Sequence, residues 1–224
     1  MPEVAGILAV TERLEMLAGD KAGAEEKALW QRLHDKMPAL PTRVENGVRM
    51  LAAAETYANK QNIENPELYA VFPYRRLAIG RPDIELAVEA LNHRQDRGNF
   101  GWRQEDIFMA YLGLTGQARE YLVGRAAKWD ENSRFPAFWG PNYDWVPDQD
   151  HGGVLLKALQ AMLVQTDGKT IYLLPAWPGD WDVDFKVHAP YRTVLEGRVR
   201  DGKVVSLDVR PPERKKDVVI MPAP

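Results

Sequence analysis

Residues 134–151 interleave Phe135, Phe138, Trp139, Tyr143 and Trp145 with Asn142, Asp144, Asp148, Asp150 and His151. Five of the seven tryptophans lie between positions 129 and 181. Sugars present apolar C–H faces and polar hydroxyl rims, so a site for them needs flat aromatic platforms beside carboxylates and amides. Breaking a glycosidic bond also needs two carboxyl groups, one to protonate the leaving oxygen and one to act as base or nucleophile. This stretch offers one of them. A plainer reading is that the aromatics plug a helical core and that Asp148 or Asp150 caps a helix starting at Gly152. Capping takes one acid, and the stretch carries Asp144, Asp148 and Asp150. The run Asp-Gln-Asp-His also resembles a metal-binding sequence, but the chain shows no second ligand cluster, and no metal is expected.

Two further stretches concentrate polar chemistry. ETYANKQNIENPELYAVFPYRR, residues 55–76, crowds Glu55, Asn59, Asn62, Glu64, Asn65, Glu67, Arg75 and Arg76 ahead of an apolar turn. A polar loop leading into a helix suits a ligand-facing position, and equally a solvated surface loop. HRQDRGNFGWRQEDI brackets Asn99 and Phe100 between Gly98 and Gly101, with Trp102 expected to open a helix bearing Asp106. Trp102 reads more readily as core than as a sugar platform.

Composition bounds the rest. The chain has 224 residues, 45% hydrophobic and 27% charged, with a net charge of −3. That is ordinary globular usage, and the charge is too small and too mixed to select nucleic acid or an anionic membrane. There is no cysteine. Disulfides, thiolate metal ligands and thiol nucleophiles are therefore excluded. No apolar run approaches the roughly 18 residues that span a bilayer. The first residues, MPEVAGILAVTERLE, lack a basic region and a cleavage site and do not read as a signal peptide.

The elements that must position these residues are mostly helical in pattern. Helices are expected over 4–18, 23–37, 66–72, 83–94, 102–113, 116–129 and 152–165, from apolar spacing and from the stops at Pro38 and Pro73. Asn46-Gly47 marks an early hairpin. After Asp167-Gly168 the pattern turns to short runs rich in β-branched residues, with Asp201-Gly202 between the last two. The expected architecture is mainly α: antiparallel helical hairpins over 1–168, then a small antiparallel β unit over 169–224.

Four motifs in consistent order resemble glycoside hydrolase family 95. DQDHGGVLLKALQAML is similar to the family's D-G-N-F-G-G and apolar helix, and LLPAWP at 173–178 with Trp181 to its L-L-P-A-L-P and Trp. LYAVFP at 68–73 matches L-Y-x-L-Y-P, and GWRQEDIFMAYLGL at 101–114 matches its Gly-Trp segment. The resemblance covers roughly residues 45–210, nearest a branch with FPAFWGPNYDWVPDQDHGG. It implies part of an (α/α)6 barrel, inverting hydrolysis, an oligo- or polysaccharide substrate, and no metal or organic cofactor. It also implies a periplasmic or secreted location for a full-length protein. Asp148 falls on the family's catalytic base. The family's Glu-Trp acid motif meets Met50-Leu51 here, so the acid must come from elsewhere, with Glu64 preferred over Glu55. Trp139, Asn142, Tyr143, Trp145, Asp150, His151, Asn65, Arg76 and Trp102 are the expected substrate contacts. A whole barrel needs twelve helices, so a partial barrel is expected to self-associate or to need its missing half. The alternatives are a non-catalytic carbohydrate-binding piece, a helical scaffold, or a polysaccharide lyase in which Tyr143, His151 and Arg76 would act.

Overall fold

The computed structural model describes residues 1–57, 62–132 and 149–222. Its contacts divide the chain into two units, Met1–Arg97 and Gly98–Pro224.

In the first unit, α1 (Pro2–Ala18) starts with proline in its first turn, where the missing N–H costs nothing. α2 (Ala24–Asp35) is capped by the Glu26 carboxylate, which accepts from the Gly23 N–H at 2.8 Å. The two helices pack together. A hairpin follows, β1 (Thr42–Glu45) with β2 (Val48–Leu51). Its turn residues Asn46 and Gly47 both have positive φ, as a two-residue turn between twisted strands requires. A 3-10 turn at Pro66–Ala70 stands where a short helix was expected, and α3 (Ile84–Asn92) packs on β2 and on that turn.

In the second unit, α4 (Glu105–Tyr111) and α5 (Thr115–Ala126) join through the tight Leu-Gly-Leu turn, and both pack against α6 (Asp150–Leu163). β3 (Val164–Asp167) begins at the next residue and pairs antiparallel with β4 (Thr170–Leu173), which pairs parallel with β8 (Val218–Ile220). A separate antiparallel meander comprises β5 (Val183–Ala189), β6 (Thr193–Arg200) and β7 (Lys203–Arg210). β6 alternates strictly, burying Thr193, Leu195, Gly197 and Val199. Gly197 is obligatory there: a Cβ would lie 2.6 Å from the Ser206 carbonyl oxygen and 2.8 Å from the Phe185 ring. Asp201-Gly202 forms the expected positive-φ turn between β6 and β7.

The expectation of a mainly α chain is corrected. Of the described residues 42% are helical and 21% are strand, arranged with three small sheets: an α/β mix. Helical spacing overstates the helices. Trp102 to Gln104 precede α4 rather than opening it, and Val164 and Gln165 leave α6 to pair with β4. Both exchanges swap local helical bonds for tertiary ones, which short apolar runs do not reveal.

Candidate active site

The expected base Asp148 and the expected contacts Trp139, Asn142, Tyr143 and Trp145 lie outside the described residues. Their immediate neighbours are described. α6 starts at Asp150, two residues earlier than expected, and its N-cap Gln149 makes no side-chain cap bond. Asp150 is therefore a first-turn residue rather than a cap, where its charge favours the helix dipole. It is exposed. His151 points the other way and is 1% exposed, with Nε2 3.0 Å from the Arg125 carbonyl oxygen. A carbonyl only accepts, so Nε2 carries the proton in this pairing.

Arg125 is the centre of a buried polar cluster in which the ends of α4, α5 and α6 meet. Its Nε donates to Asp106 Oδ2 at 2.7 Å and its Nη2 to Oδ1 at 3.2 Å, and both side chains are wholly buried. Nη1 donates to the Gly101 carbonyl at 2.8 Å, and Nη2 also donates to the Arg103 carbonyl. Burial pushes the Asp106 carboxyl above the usual aspartate value, opposed by Arg125 and two backbone amides. Alongside, Arg103 and the buried Glu105 pair at 3.4 Å.

The loop ahead of α4 is tied to α5 at several points. Asn99 Nδ2 donates to the Tyr121 carbonyl at 3.0 Å, and Lys128 Nζ donates to Asn99 Oδ1. Lys128 also stands 5.1 Å from the centre of the Phe100 ring. Burial first, and Arg125 second, pull the Lys128 ammonium below its ordinary pKa. Trp102, half-buried, sits on this tethered loop. The GNFGWRQED stretch is therefore a fixed support beside the start of α6. Asp106 was visible in the sequence as a helix acid. Arg125 was not, because TGQAREYLVGRA gives only a weak apolar stripe and a charge near a helix end reads as solvated.

The remaining expected residues belong to the first unit. Glu64 is half-buried, and its oxygens accept from Asn62 Nδ2 at 3.4 Å and from the Tyr69 hydroxyl. Burial, and then Glu64, push the Tyr69 phenol up to about 12. Glu55 is exposed. Asn65 is buried, donating to the Asp96 carbonyl at 3.0 Å, and its Oδ1 has no hydrogen-bond partner among the described residues. Arg76 pairs with Glu12 of α1, which also meets Arg81 at 3.4 Å. The structure thus brings Asn62, Glu64 and Tyr69 together, and separately gathers Asp106, Arg125 and His151.

A depression of about 850 Å³ on the β5–β6–β7 sheet is lined by Asp184, Lys186, Glu196, Arg198, Asp208 and Arg210 among others. Its charges cancel in pairs such as Arg210–Glu196 at 2.8 Å and Arg210–Asp208 at 3.2 Å. We read it as a solvated sheet face. Among the described residues, no three carboxylate or imidazole groups gather to hold a metal ion, and no helix is long and apolar enough to cross a membrane. No protein-family model and no curated protein matches the chain.

Proposed function

We propose that this chain is part of a glycoside hydrolase in which Asp148 is the general base. The observation that carries the reading is the acid–aromatic sequence 134–148, which runs directly into a helix whose first turn is clamped from below by His151, Arg125 and Asp106. The ordered likeness to family 95 motifs points the same way. Of the two acids considered in the first unit, Glu64 is the better held, by Asn62 and Tyr69, whereas Glu55 is exposed. Trp139, Asn142, Tyr143 and Trp145 are proposed to contact the sugar. Hydrolysis would be inverting, with a water activated by Asp148 on the face opposite the leaving oxygen.

The test is reducing-end release from a panel of oligosaccharides that includes α-L-fucosides and α-L-galactosides. Asp148→Asn is expected to lower turnover by about two to four orders of magnitude, the range of general acid–base catalysis. Full turnover in Asp148→Asn would sink the assignment. Glycan binding by the unaltered chain without any hydrolysis would instead make it a non-catalytic carbohydrate-binding piece.

A further inference from the structure

α2 is a helix of 12 residues, none of them buried. Helices of that length are marginal in water without a packed face. Its contact with α1 leaves Leu29 46% and Leu33 40% exposed, beside Val10, Leu14 and Leu17 of α1 at 53%, 38% and 68%. Between the two helices runs an apolar groove of about 690 Å³, floored by Ile7, Val10, Leu14, Leu29, Trp30 and Leu33 among others. An exposed apolar face of this kind marks an interaction surface.

The order of residues on α2 says what would cover it. Glu26, Leu29, Leu33 and Lys36 are spaced by three, four and three positions, which places them along one stripe. The stripe is palindromic in shape and opposite in charge at its two ends. Turned antiparallel about Gln31, a second copy would set Leu29 on the partner's Leu33 and Glu26 against the partner's Lys36. A parallel copy would set like charge on like. A strongly acidic or strongly basic partner would meet one repelling end. Glu26 is exposed, and its Oε2 accepts from the Gly23 N–H at 2.8 Å.

We propose that the chain forms a two-fold homodimer through the α1–α2 hairpin, with α2 packed antiparallel on its counterpart. This inference is independent of the sugar chemistry. Sedimentation of the full chain over a wide concentration range tests it. A monomer–dimer equilibrium is expected. Leu29→Glu with Leu33→Glu, and separately the milder Leu29→Gln with Leu33→Gln, should weaken it by about tenfold or more. Both positions are already exposed to solvent in part, and an unchanged circular dichroism spectrum verifies that the fold survives. Lys36→Glu should also weaken association, and Lys36→Gln should weaken it less. A monomer at all concentrations would overturn the proposal and leave the groove to a different partner. So would a dimer indifferent to the leucine changes, or one indifferent to Lys36→Glu.

Discussion

Replacing Arg125 tests the buried cluster most directly. The guanidinium neutralises Asp106 through two hydrogen bonds of 2.7 and 3.2 Å, and it also satisfies the Gly101 and Arg103 carbonyls. Removing one partner of a buried ion pair costs about 3–5 kcal/mol, because the other charge stays buried and unpaired. Stranded buried carbonyls add to that, at about 1–3 kcal/mol each if nothing relaxes. Arg125→Met should therefore cost about 4 kcal/mol or more, a large share of the roughly 5–15 kcal/mol that holds a domain together. Asp106→Leu removes the carboxylate whose ionised form burial already disfavours. In the double variant no unpaired charge remains, so its cost should fall short of the summed single costs by about 2–3 kcal/mol. Urea unfolding followed by tryptophan fluorescence is the assay, and six of the seven tryptophans fall in the second unit and so report on it. A cost below about 1 kcal/mol for Arg125→Met, or strict additivity in the double variant, would refute the reasoning.

Two other perturbations follow from single contacts. Tyr69 should titrate near 12 by phenolate absorbance, and Glu64→Gln should lower that value, since Glu64 is the second cause of the rise after burial. A phenol whose native pKa lies above its unfolded value of about 10 contributes stability below pH 10 and loses it as pH rises towards 12, so alkaline melting should begin in that window. Gly197→Ala should cost about 1–3 kcal/mol in thermal or urea unfolding, because its methyl group would press on the Ser206 carbonyl oxygen as well as on the Phe185 ring. A neutral Gly197→Ala would mean that the β6–β7 ladder yields more easily than its register suggests.

Much of the local structure was legible in the residues. Asn46-Gly47 and Asp201-Gly202 both form the positive-φ turns that their chemistry demands, because few other residue pairs tolerate that backbone. The alternation in TVLEGRVR gave β6 its buried and exposed faces, since a strand turns its side chains by half a revolution per residue. The helices over Pro2–Ala18 and Ala24–Asp35 stand close to their expected bounds, because proline punctuates and apolar spacing is local information.

Tertiary structure decided the rest. Whether VQTD continues α6 or becomes β3 depends on the presence of Tyr172 and Ile171 opposite it, a partner that no local pattern contains. Such pairings turned a chain that reads as mainly helical into an α/β mix. Arg125 looks like any helix-end cation until α4 supplies Asp106 and the loop supplies two carbonyls, after which burial is affordable only as a complete set of bonds. His151 likewise reads as a ligand beside Asp150, yet the start of α6 turns one residue outward and the next inward. Sequence alone set the hairpin turns and the approximate span of several helices, because those depend on local backbone chemistry. Packing determined which of the charged groups hold the framework, because the cost of burying a charge is set by its neighbours in space.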